Sequence, residues 1–106
     1  MARRDKRFVG QSILVPYIPG EHAEVRHRRR LNINLGYYDR VKEYLVGNGY
    51  NIKLVDDCWV IWNNKNYFEW WPSKAKLIRN RKYRHGFHVH DVLQLLEIVF
   101  GEVVVL

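Results

Sequence analysis

The chain is poor in residues that staple, break or anchor a fold. One cysteine, Cys58, excludes an internal disulfide framework and fits a reducing compartment. No run approaches the roughly 18 apolar residues of a membrane-spanning helix. The opening MARRDKRFVG is charged, with no apolar stretch behind it, and reads as no signal peptide. These absences predict a cytoplasmic protein with no membrane partner. Acids are also scarce: 11 Asp and Glu stand against 18 Lys and Arg, a net charge of +7.

The positive charge is concentrated. Residues 1–30 hold eight Lys/Arg and three acids, and residues 74–85 hold six Lys/Arg and none. The rest of the chain is net acidic. Two basic segments are what a polyanion-binding surface looks like in a sequence. The competing reading is that Lys and Arg keep a small domain soluble.

At 106 residues the chain is sized for one domain. Residues 1–12 read as a flexible basic arm and residues 13–106 as a single α+β domain. ILVPYIPG (13–20) reads as extended. EHAEVRHRRR (21–30) reads as a short helix or more of the arm. LNINL (31–35) alternates Leu31, Ile33 and Leu35 with asparagine, a strand-like pattern. YYDRVKEYLVGNGY is a helix, with Tyr37, Val41, Tyr44 and Leu45 on one face, stopped by GNG.

A meander of four to five antiparallel strands follows, and its turns set the register. Asp56-Asp57 pairs Leu54 with Trp59 and Ile52 with Ile61. Asn64-Lys65 pairs Ile61 with Phe68 and Trp59 with Trp70. A turn at Pro72-Ser73 pairs Trp70 with Ala75, Phe68 with Leu77 and Glu69 with Lys76. The three turns together put Ile52, Leu54, Trp59, Ile61, Phe68, Trp70, Ala75 and Leu77 on one apolar face. The other face carries Asn51, Lys53, Val55, Cys58, Val60, Trp62, Tyr67, Glu69, Trp71, Lys74, Lys76 and Ile78. NRKYRHGFHVH is a turn and last strand, or a basic loop. HDVLQLLEIVFG is a buried helix, capped by Asp91 and ended by Gly101. Both helices are expected on the apolar face. EVVVL adds an edge strand or frays.

Chemistry is thin. His85, His88 and His90 beside Asp91 are the one catalytic-looking group, and His88 and His90 point the same way on a strand. They support a metal-dependent enzyme only as a third reading. Cys58 reads as a packed thiol, and no phosphate-cradling glycine loop or nucleophile elbow occurs. No cofactor and no catalytic residue are expected. The better lead is binding. Lys74, Lys76, Arg79, Arg81, Lys82 and Arg84 form one basic cluster, and Arg26, Arg28, Arg29 and Arg30 a second. Trp62, Tyr67 and Trp71 on the outer face offer stacking platforms. Alternatively, ILVPYIP covers them.

YFEWWPSKAKLIRN with the terminal HDVLQLLEIV helix resembles a pattern in small phage and prophage accessory proteins. There an aromatic strand runs into a Trp-Pro-Ser/Thr turn and a Gly-Lys strand, and a leucine-rich helix closes the chain. Trp71, Pro72, Ser73, Lys76 and the 91–99 helix match; Ala75 stands where glycine is expected. The match covers about the C-terminal third. It implies an accessory protein acting in the host cytoplasm, either a nucleic-acid binder or an inhibitor of host defence or transcription machinery. The order helix, antiparallel strands, helix is also similar to double-stranded-RNA-binding domains, although the basic segment here precedes the last helix. The expectation is therefore a non-enzymatic protein that binds nucleic acid or a nucleoprotein complex through its basic clusters. Its alternative is an inhibitor docked on a host protein.

Overall fold

Two tight turns and one longer connection organise the sheet. The computed structural model describes residues 12–106, so most of the basic arm lies outside the described residues. Strands β1 (Asn51–Val55), β2 (Cys58–Trp62) and β3 (Tyr67–Trp71) pair antiparallel, as the turns predict. Asp56 takes a left-handed φ of 55° at the first turn, which aspartate tolerates. At the second, Asn63 Oδ1 accepts from the backbone N–H groups of Lys65 (2.8 Å) and Asn66 (2.7 Å), so the side chain builds the turn. Leu54 therefore faces Trp59, and Trp59 faces Trp70.

The third connection differs from expectation. Pro72–Lys74 forms a 3-10 turn closed by Ala75 N–H donating to Pro72 O at 3.1 Å. Ala75 sits at φ 53°, the left-handed conformation that glycine adopts more cheaply. The connection is four residues long rather than two, and the register of β4 (Lys76–Arg79) moves by two. Trp70 faces Leu77 rather than Ala75, Phe68 faces Arg79, and Glu69 faces Ile78 rather than Lys76. An even shift keeps every side chain on its predicted face. Strand β5 (Phe87–His88) completes a five-stranded sheet in order β1 to β5.

The inner face forms the core. Trp59, Ile61, Phe68, Trp70 and Leu77 are fully buried there, against Val41 and Leu45 of helix α2 (Tyr38–Gly47) and Val92, Leu95 and Leu96 of α3 (Val92–Phe100). Trp59 and Trp70 meet edge to face at 5.0 Å. Trp70 Nε1 donates to Val89 O at 3.0 Å. Leu54 keeps its predicted register opposite Trp59, but at the edge of the sheet it is 40 % exposed. Asp91 caps α3 by accepting from Gln94 N–H at 2.8 Å, and Gly101 ends it at φ 75°. No strand forms in the last five residues, although Val104 is buried.

LNINL is not a strand. It is the second half of helix α1 (Ala23–Leu35). What holds this helix is polar. Buried Asn34 donates to Arg30 O (2.9 Å) and His90 O (3.0 Å), and its Oδ1 accepts from Val92 N–H (3.0 Å). One side chain thus ties α1 to the start of α3.

A concave outer face as the candidate functional site

Register places the outer side chains in three transverse rows. Asn51, Trp62 and Tyr67 form one, and Lys53, Val60, Glu69 and Ile78 the next. The third holds Val55 beside Cys58, and Trp71, Lys76 and His88 beyond. Trp71 lies four residues along β3 from Tyr67, about 13 Å at strand rise. Aromatic side chains therefore stand at both ends of a trough whose floor is Val60, Cys58 and Glu69.

The trough is a cavity of about 750 Å³. Trp62, Tyr67 and Trp71 line it, as do Lys53, Lys74 and Arg81. Lys53 Nζ sits 5.9 Å from the Trp62 ring centre and the Arg81 guanidinium 4.4 Å from that of Tyr67, both within cation–π range. Asp56 and Asp57 of the first turn stand at one end.

Arg81 reaches the trough from the basic segment 80–86, which folds back over β4. Asn80 and Arg81 both take left-handed backbone angles, φ 52° and 60°. Asn80 is held to Tyr67 in both directions: its N–H donates to Tyr67 O at 2.6 Å and its Oδ1 accepts from Tyr67 N–H at 2.8 Å. Gly86 approaches so closely that a Cβ there would lie 3.1 Å from Ile78 Cδ1. Ile78 is fully buried in consequence, although it is on the outer face.

Glu69 lies at the centre of the floor. Tyr67 Oη donates to its Oε2 at 3.1 Å, while Oε1 is buried without a hydrogen-bond partner among the described residues. The same carboxylate holds the Tyr83 phenol above its ordinary pKa, chiefly by hydrogen bonding. Burial pushes the Cys58 thiol up to about 11, and the charge of Glu69 adds to that. A neutral, buried thiol is not a nucleophile.

The predicted site residues therefore divide. Trp62, Tyr67, Trp71, Lys74 and Arg81 come together in the trough. Lys76 lies beside Trp71 on the same row, exposed. Lys82 and Arg84 are exposed on segment 80–86, outside the cavity lining. Arg79 turns to the other face, its guanidinium 5.7 Å from the Phe68 ring centre. The second cluster is elsewhere: Arg26, Arg29 and Arg30 line a separate cleft, and Arg28 is exposed. The segment expected to cover the aromatics runs elsewhere too. Ser12 Oγ donates to Asp91 at 2.6 Å and Leu14 N–H to the same oxygen at 3.2 Å. Val15, Pro16 and Tyr17 line the arginine cleft rather than the trough.

Among the described residues no three His, Cys, Asp or Glu side chains group to hold a metal. The shared arrangement expected of His88 and His90 does not form, because β5 ends at His88 and His90 turns into the arginine cleft. Sequence reasoning missed Lys53 and the central Glu69 as trough residues. Register puts both on the outer face beside Val60, yet neither belongs to the basic or aromatic clusters that define the predicted site. Among the described residues no helix is long and apolar enough to cross a membrane. Comparison with protein-family models, curated proteins and solved structures finds no match for this chain.

Proposed function

We propose that the protein is a non-enzymatic nucleic-acid-binding protein whose outer sheet face receives the bases of a single strand. It acts in the accessory role implied by the resemblance to phage proteins. One observation carries this reading: Trp62, Tyr67 and Trp71 share one open trough with Lys53, Lys74 and Arg81, on the sheet face that the core does not use. Stacking on aromatic side chains accepts any base, and flanking cations take the phosphates. Asp56 and Asp57, which join β1 to β2, repel phosphate from the β1 side of the sheet. The backbone of the strand therefore runs along the side where Lys74, Lys76, Arg81 and Lys82 stand. A duplex, with its bases paired and stacked, offers no ring to the trough.

The test is fluorescence anisotropy with a labelled single-stranded oligonucleotide and its duplex. The single strand binds more tightly, and its affinity falls steeply between about 50 and 200 mM salt. Equal affinity for duplex, or a flat salt response, contradicts the reading.

A second reading, docking on a host protein, is favoured by the edge of β1, which no other strand pairs among the described residues. Leu54 and Val55 are 40 % and 46 % exposed there, and an unpaired edge accepts a partner strand. A stoichiometric host protein recovered by pull-down, and lost with a proline at Leu54, whose N–H points away from β2, supports it. A partner retained despite that proline excludes strand addition at this edge.

A further inference from the structure

The arginine cluster of α1 is not used by the trough. Arg26, Arg29 and Arg30 stand three and four residues apart, so the helix presents them on one side. With His90 they line a cleft of about 190 Å³. Arg29 is matched: its Nε and Nη2 each lie 2.7 Å from a carboxylate oxygen of Glu21. Arg30 is not. It is 6 % exposed, its Nη1 donates to Ser73 O at 2.8 Å, and its Nε has no hydrogen-bond partner among the described residues. Among the described residues Glu21 is the acid whose charge acts on Arg30, and it is already held in both oxygens by Arg29, while Asp91, behind His90, is taken up by Ser12, Leu14 and Gln94. A buried guanidinium without a counter-ion is strongly unfavourable. Arg26 adds a second cation, which shares the charge of the same Glu21.

The cleft therefore carries an excess of positive charge and an orphaned donor. A metal ion is repelled by it, and a neutral ligand leaves the charge uncompensated. A phosphate group supplies two negative charges and several acceptor oxygens to planar guanidinium forks. We propose that this cleft is a phosphate-binding site, with Arg26 and Arg30 as its ligating residues. The inference stands apart from the nucleic-acid reading, since inorganic phosphate tests it alone. The two cavities are nonetheless neighbours: Arg30 holds the carbonyl of Ser73, and Ser73 also lines the trough. The phosphate has two possible sources, free phosphate or the 5′ end of a strand lying in the trough.

The experiment is thermal denaturation and calorimetric titration of the full chain with inorganic phosphate, against chloride at matched ionic strength. Phosphate raises the melting temperature of the wild type and chloride does not. Arg30→Met removes the buried charge at similar volume. It melts no lower than wild type without phosphate and loses the phosphate response. Arg26→Gln, at the cleft mouth, weakens phosphate on the order of tenfold, a charge-assisted hydrogen bond's worth, and serves if Arg30→Met fails to fold. A 5′-phosphorylated oligonucleotide binding more tightly than its 5′-hydroxyl form, with the difference lost in either variant, identifies the strand end as the source. Equal binding of the two oligonucleotides, with the inorganic phosphate response intact, identifies free phosphate. No phosphate response beyond chloride, or an intact response in both variants, overturns the proposal.

Discussion

Adjacent Trp70 and Trp71 point to opposite faces of β3, and substituting each separates stability from binding. Trp70 is fully buried, packs edge to face on Trp59, and donates to the Val89 carbonyl. Truncating a buried large aromatic to alanine costs about 3–5 kcal/mol. The orphaned Val89 carbonyl adds about 1–3 kcal/mol, partly overlapping the first loss. A total of about 4–6 kcal/mol takes most of the stability of an ordinary domain. Trp70→Ala should therefore be unfolded or nearly so. Trp70→Phe keeps a ring and loses the N–H, so it should cost about 2 kcal/mol. Trp71 is half-buried in the trough wall and no core contact depends on it. Trp71→Ala should cost about 1 kcal/mol of stability or less, but about 1–3 kcal/mol of single-strand affinity, one lost stacking platform. Urea denaturation reads the first quantity from the midpoint at constant slope. Anisotropy reads the second. If Trp71→Ala destabilises as much as Trp70→Phe, or binds like wild type, the division of the sheet into a core face and a binding face is wrong.

Three further outcomes follow from individual side chains. Asp91 caps α3 and anchors Ser12 and Leu14, so Asp91→Ala should lower stability by about 2–4 kcal/mol in urea, with Asp91→Asn in between. Cys58, held at about 11 by burial, should react with a thiol reagent at mildly alkaline pH roughly 100-fold more slowly than the unfolded chain. Rapid labelling of the folded protein would show that the thiol is open. Burial, then the charges of Arg30 and His88, lowers the His90 pKa, while Asp91 opposes them. The unfolded chain therefore protonates first as pH falls, so stability is lost on acidification below about 6.5 and is flat above it. His90→Gln should flatten that decline, as measured by urea midpoints across the range.

How much was legible depends on what fixed each element. The registers of β1, β2 and β3 were readable because Asp56-Asp57 and Asn64-Lys65 are turns with local chemistry of their own. The β3–β4 register was not, because Pro-Ser-Lys-Ala is compatible with a two-residue or a four-residue connection. Only the left-handed Ala75 settles which, and nothing in an alanine announces it. The faces survived the error because the shift was even. Helix α1 reads in part as a strand because its fixed residues, Arg30 and Asn34, are polar and leave no apolar stripe. Their partners, Ser73, His90 and Val92, are distant in sequence. The aromatic part of the trough was legible from alternation alone. The return of segment 80–86 over Ile78, which brings Arg81 onto Tyr67, was not, because it depends on two left-handed residues and a close glycine. The arginine run looked like one patch in the sequence, yet one arginine is salted to Glu21, one is buried and one is exposed.

The most direct test uses the four tryptophans themselves, since each contributes one indole N–H signal in a proton–nitrogen NMR spectrum. Titration with a single-stranded oligonucleotide should shift Trp62 and Trp71, which line the trough, and leave the buried Trp59 and Trp70 in place. Unmoved Trp62 and Trp71 signals at saturating oligonucleotide would contradict a base-stacking outer face.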